Sequence, residues 1–260
     1  MPFRLIDTDH SPLVIDNEYE ITDKDLLAKY VGEILLGHHM HINRIINSLT
    51  TIFPTHPNDS IDHVINKIKS TSIEKRDGWL FQMMSWVVLA DRSAGKIFFS
   101  NYPHFAPAQH GIDGLAIILT EDNNLQNIII TEDKCTTSPR GKITQQVFPE
   151  FEAFENGEKN NALISIISNL IGHIDAGAVL ENVQNDIFSN KYRVYRIGIT
   201  RDVNHNDENG RKSLFKNYDN TIKGDTSERR SGATIYLDDL RVWMQDFSDQ
   251  VIIFLESKKS

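Results

Sequence analysis

Asp113 opens one apolar run, Leu115–Leu119, and Glu132-Asp133-Lys134 closes the next, Ile128–Ile130. Two carboxylates and a lysine brought within a few ångströms could do hydrolytic chemistry on a phosphate. Carboxylate oxygens hold a hard divalent cation such as Mg²⁺. A lysine ammonium orients an attacking water and stabilises charge developing on phosphoryl oxygens. Strand side chains alternate between faces, so Glu132 and Lys134 share a face with Ile128 and Ile130. Asp133 falls on the other face with Ile129 and Thr131, which makes it the expected neutral control. The turn chemistry of "EDNNLQ" joins the two runs as a hairpin. That hairpin should return Asp113 to Glu132, with their carboxylates within about 8 Å if they share an ion.

Several other residues could serve the same chemistry. Arg140 and Lys142, in "SPRGK", follow the second strand closely and could contact a phosphate backbone. Arg229 and Arg230, in "SERRSG", could bind phosphate, or could belong to a solvated loop. From Lys191 to Arg230 there are ten Lys/Arg and six Asp/Glu, a local balance of +4 in a chain of net charge −9. The remainder therefore carries −13, and the basic segment reads either as a solvated face or as one that meets phosphates. His38, His39 and His41 lie close together in "GHHMHINR" but lack a His-Glu-x-x-His pattern, so a partly exposed polar cluster is expected. Trp79 and Trp86, seven apart on one helix, read as core. No Walker phosphate loop, dinucleotide fingerprint or Gly-x-Ser-x-Gly is present, which argues against ATP binding.

The elements that must position these residues can be read from periodicity. Residues 23–36 carry Leu26, Leu27, Tyr30, Val31, Ile34 and Leu35 at helical spacing, with Asp23 as N-cap and Gly37 as terminator. Shorter helices are expected over "HINRIINSLTTIF", stopped by Pro54, and over "IDHVINKIKS". The most apolar helix spans 74–91. Strands are expected near 97–100, 115–120, 127–133 and 192–200, with helical patterns over 143–170 and near 179–188 between the last two. Residues 201–232 read as a long polar loop. A C-terminal helix from Asp238 to about Glu256 places Leu240, Trp243, Phe247, Ile252 and Leu255 near one side, a face that should dock on the core or on another subunit, the core being the commoner outcome. The expected class is α/β (α+β): a helical N-terminal lobe over 1–73, and a core over 74–260 with a central mixed sheet flanked by helices.

Asp113, then 18 residues, then Glu132-x-Lys134 on the next strand, in a helix–three strands–helix–strand order over roughly 74–200, resembles the PD-(D/E)XK phosphodiesterase superfamily. The resemblance implies a restriction-endonuclease-like core and Mg²⁺- or Mn²⁺-dependent cleavage of DNA. Asp113 and Glu132 would be the metal ligands and Lys134 the catalytic lysine. A glutamine on the helix after the lysine, here Gln145 or Gln146, would reach the phosphate or the water. Ile112 stands where the family usually has proline. The first core helix offers Asp77 and Gln82 where many members have glutamate. The layout is similar to nuclease subunits of bacterial anti-phage defence, such as Hachiman-type effectors that work beside a helicase, and equally to type II restriction enzymes. A non-catalytic, partner-binding subunit of a defence complex that keeps the fold is the alternative.

Composition sets the outer bounds. Hydrophobic content of 40% and charged content of 24% suit a globular chain, and no apolar run reaches the roughly 18 residues needed to span a bilayer. "MPFRLIDTDHSP" lacks the apolar centre of a signal peptide. Cys135 is the lone cysteine, so an intrachain disulfide and a cysteine-rich zinc site are excluded and the cytoplasm is the expected compartment.

Overall fold

Ile128–Ile130 is apolar on both sides because β5 (Leu125–Lys134) is covered on both sides. It lies near the middle of a seven-stranded mixed sheet ordered β1-β2-β7-β6-β5-β4-β3. β5 pairs antiparallel with β4 (Gly114–Leu119) and parallel with β6 (Arg193–Arg201). The remaining strands are β1 (Phe3–His10), β2 (Val14–Ile21), β3 (Ile97–Ser100) and β7 (Arg230–Tyr236). The structure is a computed structural model that describes residues 1–109, 111–172, 183 and 186–259.

Helices cover both faces of this sheet. On one face lie α1 (Lys24–Leu35), α2 (His39–Ile46), α3 (Asn58–Ser70), α4 (Ile73–Arg92) and the C-terminal α10 (Leu240–Glu256). α1 starts at Asp23, whose carboxylate accepts the Leu26 N–H at 2.9 Å. α4 is buried nearly all round from Trp79 to Ala90 because it lies between the sheet and the outer helices. The opposite face carries α5 (Pro139–Lys142), a π-helical segment (Ile143–Val147), α6 (Phe148–Glu155) and α7 (Asn160–Ile171). α8 (Glu208–Leu214) and α9 (Tyr218–Thr221) complete that side through Leu214 and Tyr218. The C-terminal helix docks on α1: a Cβ on Gly32 would lie 2.3 Å from the Phe254 ring. Among the described residues no helix is long and apolar enough to cross a membrane.

Two sequence expectations need correction. Residues 1–73 are not wholly helical. Phe3–Ile21 forms the β1–β2 hairpin, which joins the sheet through parallel pairing of β2 with β7. Its core cluster also contains residues of α1–α4, β7 and α10, so 1–73 shares its interior with the rest of the chain. Residues 201–232 are not a featureless loop either: they hold a 3₁₀ turn at Val203–His205, α8, α9 and the start of β7. The helix expected near 179–188 lies largely outside the described residues.

β2 escapes a strand pattern because acids occupy its inward positions. Asp16 is fully buried; its Oδ2 accepts from Thr234 at 2.8 Å, and its Oδ1 takes no hydrogen bond. Burial pushes this carboxyl up from 3.8 to about 6, against the pull of Thr234 and Arg201. A raised acid favours folding most when protonated. Its contribution is therefore complete below about pH 3.8 and is lost as pH rises through about 6. A two-unit shift amounts to about 3 kcal/mol. We expect the stability difference between Asp16→Asn and the parent to move by about 2 kcal/mol between pH 4.5 and 7.5, in the variant's favour at the higher pH. Urea unfolding at the two pH values measures it, and a difference that does not change with pH refutes it.

Candidate active site

The register of β4 on β5 decides what meets at the sheet's end. Gly114 pairs with Thr131, so Asp113 is carried to the level of Glu132. Ile128 and Ile130 face the α5–α7 side, and Glu132 and Lys134 continue that face. Lys134 Nζ contacts Glu132 Oε1 at 2.5 Å and Asp113 Oδ2 at 3.5 Å. Bound to one nitrogen, these oxygens are separated by no more than the sum of the two contacts, 6.0 Å. They lie at the carboxyl ends of the parallel strands, where open sheets of this kind place ligands.

α4 and the loop between β3 and β4 hold Asp113 in place. Gln82 Nε2 donates to the Asp113 carbonyl at 2.9 Å and to its Oδ1 at 3.1 Å. Gln82 Oε1 accepts the His104 N–H, and Trp79 Nε1 donates to the His104 carbonyl at 2.6 Å. The His104 ring then stands 3.9 Å from Asp113 Oδ1. The Asp133 N–H donates to Asp113 Oδ2 at 3.0 Å, which ties the two strand ends together. His104 gave no sequence signal, because it sits in an aperiodic loop nine residues before Asp113. Asp77 does not reach this group: it is fully buried and bound by Arg76 and Arg241.

The electrostatics suit a cation. Burial, then the like charge of Asp113, pushes the Glu132 carboxyl from 4.5 to about 8 despite Lys134. Burial works against the Lys134 ammonium, but Glu132 and Asp113 outweigh it and hold its pKa above the ordinary lysine value. One ammonium cannot balance two carboxylates, so Glu132, the more buried, is where a proton is taken up first. Among the described residues no three His, Cys, Asp or Glu side chains converge as a metal cage. Mg²⁺ fits two carboxylates, since it keeps several waters and rarely uses an all-protein cage.

A cavity of about 420 Å³ opens beside the triad, with Asp113, Lys134, Gln82, His104, Lys142 and Gln146 in its wall. Lys142 therefore reaches the site. Gln145 is exposed and Gln146 takes the cavity position. Arg140 is turned away: Nη1 donates to the Leu214 carbonyl at 2.9 Å, with the guanidinium over the Phe148 ring. Arg229 is bound to Glu155. Arg230 is buried among backbone carbonyls, which removes it from any phosphate. The basic surplus of 191–230 is largely engaged in this way; Arg193 donates to Phe154 and Asn160, and Arg201 to Glu18.

Asp133 is not the bland control its strand face suggested. It is buried under α4, accepts from Ser85 Oγ at 2.6 Å and lies 3.7 Å from Arg196. Burial pushes its carboxyl to about 7, Arg196 notwithstanding. A Cβ on Gly198 would stand 1.9 Å from its Oδ1, so β6 needs glycine there. Comparison of the chain with family models, with curated proteins and with solved structures found no match.

Proposed function

We propose that the chain is a metal-dependent nuclease that hydrolyses DNA phosphodiester bonds. The observation that carries this reading is the meeting of two carboxylates on one lysine ammonium beside an open cavity. Asp113 and Glu132 would hold Mg²⁺ or Mn²⁺, which when bound supplies Lewis-acid polarisation of the phosphoryl oxygen and a more acidic water. Gln82 keeps Asp113 aimed by donating to both its carbonyl and its carboxylate. Lys134 orients the attacking water and stabilises the charge that develops on the phosphate. Lys75 and Lys142 stand in the cavity wall as cations for flanking phosphates. Restriction or anti-phage defence in the cytoplasm, with a helicase or another defence subunit as partner, is the setting this reading implies.

One observation favours the non-catalytic alternative. Lys134 already fills the space between the two carboxylates, as in a structural ion pair. Incubation with supercoiled, linear and single-stranded DNA, with Mg²⁺ or Mn²⁺ and with EDTA, separates the two. Metal-dependent cleavage that EDTA stops supports the nuclease. DNA left intact in every arm, with and without metal, supports the partner-binding subunit.

A further inference from the structure

A second set of ionisable groups lies far from the candidate active site in sequence, at the start of α2. Of the partly exposed cluster its sequence suggested, His39 and His41 are half-buried but His38 is buried. Its Nδ1 lies 2.6 Å from Glu33 Oε2, and Lys258 holds the other Glu33 oxygen at 2.5 Å. The His38 Nε2 lies 2.8 Å from the Nε2 of His56, which arrives on the loop after α2. The two rings are 4.7 Å apart between centroids, and the His41 ring is 5.2 Å from His38. Phe53 packs against both His38 and His41.

We propose that His38 and His56 form a binding site for an imidazole-preferring divalent transition metal, of which Zn²⁺ is the representative ion. Three features support it. Two imidazole nitrogens on one tetrahedral ion, each at 2.0–2.1 Å, stand roughly 3.3 Å apart, so the observed pair needs to open by only about 0.5 Å. A metal-binding histidine typically donates its second ring N–H to a carboxylate, and buried Glu33 receives it from His38 Nδ1. That bond leaves the His38 Nε2 lone pair directed at His56. With the His38 Nδ1–H given to Glu33, His56 offers its Nε2 lone pair to the ion by carrying its own proton on Nδ1, so both neutral rings bind through Nε2.

Among the described residues no third ligand converges on this point, so water completes the coordination. The ion would fasten the 48–57 loop to α2. The partners are nitrogens, so the site should discriminate against the hard Mg²⁺ suited to Asp113 and Glu132. It does not depend on the nuclease reading.

Calorimetric titration with ZnCl₂, in a buffer free of chelators and with excess Mg²⁺ present, tests it. The full chain should take up one equivalent at this site. His56→Ala, on a part-exposed loop and expected to fold, should weaken that uptake at least tenfold. Glu33→Gln should weaken it by roughly 10–100-fold, because the orienting carboxylate is lost. Glu132→Gln should leave it unchanged. Co²⁺ binding gives an independent readout, as nitrogen-coordinated Co²⁺ has visible absorption that His56→Ala should remove. The proposal is overturned if the chain takes up no Zn²⁺, if uptake is the same in His56→Ala, or if Glu132→Gln abolishes it.

Discussion

Glu132→Ala and Lys134→Ala are each expected to abolish metal-dependent DNA cleavage while leaving the fold intact. Glu132→Ala removes one of the two carboxylates that touch Lys134. Lys134→Ala removes the cation that touches both. Loss of a preorganised charge-stabilising donor typically costs on the order of 10²–10³ in rate. Loss of a charged ligand costs affinity for the ion as well. Neither change should unfold the chain. Glu132 is destabilised by burial beside Asp113, and its removal relieves that strain. Without Lys134, Glu132 can take up a proton, which its raised pKa already favours. A suitable control is Glu121→Gln, on the exposed β4–β5 turn. Asp133→Asn is a poor control, because Asp133 is packed against Ser85 and Arg196 beneath the site. Plasmid nicking rates for the three proteins, with circular dichroism as the fold check, decide the matter. Lys134→Ala cutting at the parental rate would sink the assignment.

What the sequence made legible follows from how local each signal is. Asp113, Glu132 and Lys134 belong to one hairpin, so strand alternation and a short turn are enough to bring them together. β4 and β5 were legible because strands covered on both faces read as unbroken apolar runs, and β6 because its residues alternate between two faces. β1, β2 and β7 were not. β2 points Asp16 and Glu18 into the protein, where Thr234 and Arg201 meet them from 218 and 183 residues away. Without those partners, the inward acids make β2 read as exposed. β7 is central yet carries Arg230, Ser231, Gly232 and Thr234. Its Gly232 is required because a Cβ there would come within 2.6 Å of Phe215 and 2.7 Å of Asp16. Composition could not reveal that packing either. The support from Gln82 and His104 likewise depends on a loop whose path only tertiary contacts define.

Arg230→Ala should destabilise the whole protein by at least about 3 kcal/mol, a structural effect rather than a selective loss of DNA affinity. The sequence pair Arg229-Arg230 suggests two equivalent phosphate contacts, but the structure gives them different environments. Arg230 is 1% exposed and donates to the carbonyls of Pro12, Leu13, Ile222, Gly224 and Thr226. It thereby joins the β1–β2 turn to the segment that leads into β7. Burial holds its pKa below the ordinary arginine value, in keeping with a cation solvated by peptide dipoles. Truncation strands those carbonyls without donors, and each buried unsatisfied group costs roughly 1–3 kcal/mol. Lysine should not rescue, because its three donors cannot reproduce the five-donor planar fork. Arg229 is less buried, binds Glu155 and donates to only two carbonyls, those of Arg193 and Lys223, so Arg229→Ala should cost clearly less than Arg230→Ala. Urea unfolding of Arg230→Ala, Arg230→Lys and Arg229→Ala ranks the three. If Arg230→Ala keeps the parental midpoint yet binds DNA more weakly, then the guanidinium faces the nucleic acid after all, and the carbonyl cage is not its role.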